Sequence, residues 1–298
     1  MEYKVENGEE LNDTKLVVIS DIDGTFIDHE CYSFEASIEA AKKLVVEGQL
    51  AFATSKTAAE VLKLDEDLKT AGVNIPIPYI VENGCGIYLP ITLVKDINIE
   101  QVAGEIDKNI TVIQNDNWLV LTFGEANHEE MLTILDQIEK QVGKKVICFS
   151  KMTPEELASH SGLQVEAAKL AKIREFDEPY YIEDGTDEDY NQAEEITKQA
   201  GYFYSRGGRY AHISISQDKG KAAKVLLTIL EKIYGHLETV AIGDAENDLP
   251  LMSAADRGYL VKGKKEITKE TPDNVQKIEG VGPTGFSEVI EKELARNN

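Results

Sequence analysis

Four short clusters in this 298-residue chain bring together side chains that can do chemistry as a group. Asp21-Ile22-Asp23-Gly24-Thr25 sets two carboxylates two positions apart. In an extended chain those positions face the same way, so both acids address one site, and Gly24 lets the backbone turn away. Two carboxylates so close do not both ionise easily, which suits one to act as nucleophile and the other to carry a proton. A solvated acidic turn is the competing reading, and for this cluster alone the two weigh equally. Gly243-Asp244-Ala245-Glu246-Asn247-Asp248 gathers hard oxygen donors of the kind Mg²⁺ takes together with waters and a phosphate. A helix N-cap followed by an acidic first turn is the alternative there. Thr54-Ser55-Lys56-Thr57 opens an expected helix, where hydroxyls and free N–H groups can hold a phosphoryl oxygen, although plain capping explains the same residues. Lys219-Gly220 offers a single ammonium to a phosphate, or an ordinary surface lysine.

The elements that must position these clusters follow from the apolar pattern. Residues 15–21 form a continuous apolar run, as expected of a strand covered on both faces in a parallel sheet. A helix at 33–47, a strand at 49–54, a helix at 57–71 and a strand at 78–81 complete an α/β series. After residue 89 the pattern changes. Strands at 110–113 and 118–123 flank a turn, followed by a helix at 128–142, a strand at 145–149 and a strong helix start at Thr153-Pro154-Glu155-Glu156. Helices at 166–173 and 187–199 and extended segments at 174–182, 202–205 and 210–216 follow. The α/β pattern returns with a helix at 220–234, a strand at 239–242 and a helix at 247–254. The expected fold class is therefore α/β, a Rossmann-like parallel-sheet core of residues 1–90 and 214–298 with an α+β module, 91–213, inserted.

Composition narrows the partners. With 31 Lys and Arg against 54 Asp and Glu, the formal charge of −23 excludes nucleic acid or an anionic membrane surface as the main partner. No apolar run approaches the roughly 18 residues of a membrane helix, and residues 1–15 are charged and polar, so a cytoplasmic protein is expected. Cys31, Cys85 and Cys148 form no metal or redox motif and read as buried apolar side chains.

In this order, each past an apolar strand or at a helix start, the clusters resemble the haloacid dehalogenase superfamily of phosphatases. The insertion resembles that superfamily's type 2B cap. Glu82-Asn83-Gly84, the run Arg174-Glu175-Phe176-Asp177-Glu178-Pro179, Gly207-Gly208-Arg209 with His212, and Asp218-Lys219-Gly220-Lys221 are similar to the mannosyl-3-phosphoglycerate phosphatases. The resemblance implies Asp21 as nucleophile, Asp23 as general acid, and Thr54 and Lys219 as further catalytic groups. It implies Mg²⁺ on Asp21, the Asp23 carbonyl, Asp244 and Asp248. Substrate contacts are then expected from Ser55, Lys56, Asn83 and Asn247, and from Arg174, Glu175, Gly207, Gly208 and Arg209 in the cap. Each cap feature has a plain counterpart: the 174–179 run as an ordinary strand, the two glycines as a hairpin turn, His212 as a strand histidine, and Trp118 as cap packing. The expected substrate is mannosyl-3-phosphoglycerate, a small phosphorylated glycosylglycerate. A glucosyl or other sugar or polyol phosphate, and a non-catalytic sensor, are the alternatives.

Overall fold

The computed structural model describes residues 14–206, 209–216, 218–264 and 267–296. Its expected apolar runs form β1 (Lys15–Ser20), β2 (Gln49–Ala53) and β3 (Tyr79–Val81), with β4 (Gly86–Pro90), β5 (Thr111–Asn115) and β6 (Trp118–Thr122) next in the chain. Then come β7 (Val146–Cys148), β8 (Asp177–Ile182), β9 (Phe203–Arg206) and β10 (Ala211–Ser214), followed by β11 (Leu237–Gly243), β12 (Arg257–Lys262) and β13 (Val275–Val281). Nine strands make one sheet in the order β13-β12-β11-β1-β2-β3-β4-β6-β5, and β7-β8-β10-β9 make a second. From β13 to β3 all pairs are parallel.

The continuity of the β1 run has a direct cause: both faces of the sheet are covered. Leu16, Val18, Phe52, Val240 and Ile242 pack on one side, with residues of the helices Glu35–Glu47, Ala58–Thr70 and Gly282–Arg296. Val17, Ile19, Ala51, Ala53 and Ala241 pack on the other, against Ala222, Leu226 and Ile229 of the helix Lys219–Tyr234. Successive side chains alternate between two apolar layers, so no polar position is left in the run.

The hairpin expected at 110–123 is β5–β6, and it lies elsewhere than the inserted module to which the sequence assigns it. It pairs antiparallel with β4 at the edge of the nine-stranded sheet, Leu89 facing Leu119 and Ile87 facing Leu121. Ile87, Leu89 and Leu121 join the layer that holds Val17 and Ile19, and this burial selects that edge. Trp118 accordingly packs on the core, its ring centroid 5.9 Å from Tyr79 and 6.2 Å from Tyr88. The second, all-antiparallel sheet has its own core. The helices His128–Val142 and Asp187–Gln199 bury Met131, Ile134, Tyr190 and Ala193 with Tyr180 and Ile213. Of the three cysteines, Cys85 and Cys148 are buried while Cys31 is exposed, its thiol donating to Asp28 Oδ1 at 3.2 Å. No helix among the described residues is long and apolar enough to cross a membrane.

Candidate active site

The parallel strands bring their carboxyl ends to one edge, the place where open α/β sheets bind ligands. Asp21 follows β1, Thr54 follows β2, Glu82 follows β3 and Asp244 follows β11, on four strands adjacent in the sheet. The chain leaves β1 toward β2 on one side and returns through β11 on the other, so Asp21 and Asp244 flank the switch in strand order. The Asp21 N–H donates to Ile242 O at 2.8 Å, which fixes the register between them.

Lys219 is the hub of the acids. It is the first residue of the helix Lys219–Tyr234, whose N-cap Asp218 accepts from the Gly220 and Lys221 N–H groups at 2.9 and 3.0 Å. The buried ammonium donates to Asp21 Oδ1 and to Asp248 Oδ1, each at 2.7 Å. The other Asp248 oxygen accepts from the Asp244 and Ala245 N–H groups at 3.3 and 3.1 Å. Thr25 donates to Asp244 Oδ1 at 3.5 Å. Gly24, at φ +82°, turns the chain here, and a Cβ on it would lie 2.8 Å from Asp244 Oδ2.

Asp21, Asp244 and Asp248 each present an oxygen within 4.8 Å of the others. Burial first, and then the neighbouring Asp248, pushes the Asp244 carboxyl up to about 7. Burial and Asp248 likewise raise Asp21 well above its ordinary range, against the opposing pull of Lys219. Three crowded carboxylates, of which Asp21 and Asp244 take up protons more readily than usual, form an all-oxygen donor set short of positive charge, which fits a hard divalent cation.

Asp23 is set apart from this group. Its side chain faces Lys56, with Oδ1 3.1 Å from the ammonium, and Lys56 also lies 3.3 Å from Glu60 Oε1. Asp23 Oδ1 is buried, with the Lys56 ammonium as its charge partner. Burial raises the Asp23 carboxyl, Lys56 lowers it, and the balance is a raised value. The two acids of the first cluster therefore stand in different surroundings, one on Lys219 beside the acidic group and one on Lys56. The Asp23 carboxylate is not a member of the group formed by Asp21, Asp244 and Asp248.

The loop after β2 carries the remaining core residues. Thr54 is buried, Ser55 is exposed, and Lys56 N–H donates to Thr54 Oγ1 at 3.2 Å. Thr57 and Glu60 close a capping box on the helix Ala58–Thr70, which anchors the loop from its far end. Asn83 is partly buried and its N–H donates to Thr54 O at 2.9 Å, while Asn247 is exposed in the short turn before Leu249.

The cap residues divide. Arg174 is buried, paired with Asp177, and donates to Ser55 O at 2.9 Å, so it reaches the loop after β2. Glu175 accepts from the Tyr88 hydroxyl at 2.6 Å. His212 on β10 lies with Nδ1 2.9 Å from Asp177 Oδ2. Arg209 is exposed and donates to His160 O at 2.5 Å, on the side of the second sheet that carries the helix Pro154–Ser161, and among the described residues no contact draws it to the core loop as Arg174 is drawn. Gly207 and Gly208 lie outside the described residues. Sequence reasoning passed over Glu60, which grips Lys56, and the carboxylate of Glu82; the one available signal for the latter was its place directly past the β3 run.

Residues 18–279 match the model of the haloacid dehalogenase-like hydrolases. A glucosyl-3-phosphoglycerate/mannosyl-3-phosphoglycerate phosphatase of Methanococcoides burtonii is 35% identical over 293 residues, covering 95% of this chain and 99% of that protein. A phosphatase of the same description from Persephonella marina is 34% identical over 281 residues, covering 92% of this chain and 96% of its own. Among solved structures, a haloacid dehalogenase-like hydrolase from Bacteroides thetaiotaomicron has the same fold, with a TM-score of 0.62 at 16% identity over 94% of this chain and 99% of that one. The chain belongs to the haloacid dehalogenase-like hydrolases and is an enzyme, a phosphoric monoester hydrolase.

Proposed function

We propose that this enzyme releases phosphate from a glycosyl-3-phosphoglycerate, the mannosyl compound first, through an aspartyl-phosphate at Asp21. The observation that carries the chemistry is the separation of two carboxylates from one turn, Asp21 buried on Lys219 and Asp23 half-buried on Lys56. In the first step an Asp21 oxygen attacks the phosphorus in line as the ester P–O bond breaks, and Asp23 passes its proton to the departing alkoxide. In the second, Asp23 takes a proton from water as the water oxygen attacks phosphorus, freeing Asp21 and inorganic phosphate. Thr54, Ser55 and Lys219 hold the phosphoryl oxygens in place, a task of positioning and charge rather than covalent chemistry. Asp21, the Asp23 carbonyl, Asp244 and Asp248 would hold Mg²⁺, which when bound supplies positive charge to the non-bridging oxygens.

The second sheet with its helices serves as the cap in this reading, with Arg174 and Glu175 at its contact with the core and Gly207, Gly208 and Arg209 as further substrate contacts. Both relatives carry glucosyl and mannosyl substrates in their names, which favours the glucosyl ester as a second substrate of the same site. The test is phosphate release from mannosyl- and glucosyl-3-phosphoglycerate and from hexose phosphates, each with Mg²⁺ and with EDTA. Turnover of a glycosyl-phosphoglycerate at least tenfold above every hexose phosphate, lost in EDTA, is the expected result. Preference for a hexose phosphate would overturn the substrate, and full activity in EDTA the metal.

A further inference from the structure

Glu82 is a fully buried carboxylate outside the catalytic group, and its surroundings are unusual in three ways. Its own backbone, at φ +48°, and that of Asn83, at +58°, occupy the left-handed region that non-glycine residues avoid. Strain of this kind persists only where the surroundings hold it, and it gathers at functional sites. Second, the turn it begins supports the loop after β2: Glu82 N–H donates to Lys56 O and Asn83 N–H to Thr54 O, both at 2.9 Å. Third, its side chain reaches across to the other sheet. One carboxylate oxygen accepts from Glu175 N–H at 3.0 Å, and the other from Phe176 and Asp177 N–H at 2.8 and 2.9 Å.

Those three N–H groups lead into β8, whose first residue is Asp177. Phe176 between them is buried in the core cluster with Cys85 and Tyr88, and Arg174, just before, lies 4.0 Å from Glu82 and donates to Ser55 O. One residue thus holds, through its backbone, the loop that bears Lys56 and, through its side chain, the strand that leads into the second sheet. Lys56 in turn sits on Asp23.

We propose that Glu82 is a positioning residue that latches the second sheet's β8 onto the loop 54–56, so that the cap and the Lys56–Asp23 pair are set in one geometry. The latch rests on the hydrolase reading of this site, and its consequence depends on substrate size. A phosphate ester whose leaving group the cap must cover needs the latch. A small activated ester needs only the core.

The test compares E82Q with the wild type on p-nitrophenyl phosphate and on the glycosyl-phosphoglycerate or other large phosphate ester that the wild type turns over best. In the glutamine an amide N–H₂ replaces one acceptor, so at least one of the three latched N–H groups loses its partner. The expected result is a fall of at least thirtyfold in kcat/KM for the large ester, carried mainly by KM, with less than a threefold change for the small one. Equal losses on both would reduce Glu82 to general support of the fold and overturn the latch. Hydrogen exchange on the unaltered enzyme decides the matter should E82Q not fold: the amides of Glu175, Phe176 and Asp177 are expected to exchange at least tenfold more slowly than unbonded loop amides, and exchange at loop rates overturns the proposal. A wild type inactive on every glycosyl-phosphoglycerate would sink the substrate reading but leave both comparisons intact.

Discussion

At the scale of single residues the site works by giving two similar acids dissimilar neighbours. In the proposed mechanism Asp23 is the acid whose proton matters, and its charge partner is Lys56, which opposes the effect of burial. Removing that cation removes the one large influence favouring the carboxylate, so the Asp23 proton is held to higher pH. The K56A enzyme should therefore show the alkaline limb of its kcat profile moved upward relative to wild type on an alkyl phosphate. In D23A that limb should vanish, with a loss of roughly 10²–10⁴ in kcat/KM, which reports the first step alone, on the alkyl ester and much less on an aryl phosphate, whose leaving group needs no proton in that step. A limb that stays put in K56A, or equal losses on both esters in D23A, would remove Asp23 as the acid. The two acids of the first cluster and their place at the sheet's carboxyl edge were legible in the sequence because their spacing and their position past an apolar run are local features. Glu82 was not, since its partners are backbone N–H groups more than ninety positions along the chain.

At the scale of elements, the parallel strands β1, β2, β3 and β11 were readable, while parallel β12 and β13 and the antiparallel extension were not. A strand buried on both faces announces itself by an unbroken apolar run, as at β1, β2 and β11. A hairpin such as β5–β6 announces only that it is a hairpin; which sheet edge it joins depends on β4, a five-residue strand bounded by Gly86 and Pro90. β13 has mostly half-exposed or exposed side chains, and the last helix opens on Gly282-Pro283-Thr284-Gly285, so neither carries a strong pattern. The turn after β3 shows how tightly these elements are fitted. Gly84 has φ +99°, and a Cβ there would lie 2.6 Å from Asp218 O and 2.8 Å from Lys219 N. Both the backbone region and the space exclude a side chain, and the groups that would have to move lead straight to Lys219. G84A should accordingly lower stability by about 1–3 kcal/mol in urea melts and reduce kcat at least tenfold. Wild-type kcat in the variant would show that the Lys219 helix start is not held from this side.

At the scale of the whole molecule, the charge of −23 meets a substrate that is itself an anion, and the two are compatible only through local charge. Remote surface acids are screened over about 8 Å at physiological salt. What remains at the site is Lys56, Lys219 and Arg174 against Asp21, Asp23, Asp244 and Asp248, a balance that favours a bound cation. Stability should report that cation. Without it, the Asp244 carboxyl binds its proton more tightly in the folded chain, at about 7, than in the unfolded one. An acid whose pKa is raised by folding contributes stability that is full below the unfolded value and is lost as pH rises toward the folded value, so this group weakens the metal-free protein between about pH 4 and 7. A divalent cation reverses the effect: it needs the ionised carboxylates, displaces a proton at pH 5 and displaces little at pH 7.5. The rise in Tm on adding millimolar Mg²⁺ to EDTA-treated protein should therefore be clearly larger at pH 7.5 than at pH 5, because the gain grows with affinity as RT ln(1 + [L]/Kd). Equal rises at the two pH values would mean that the cation binds away from Asp244, and no rise at either would mean that Lys219 alone balances the three acids.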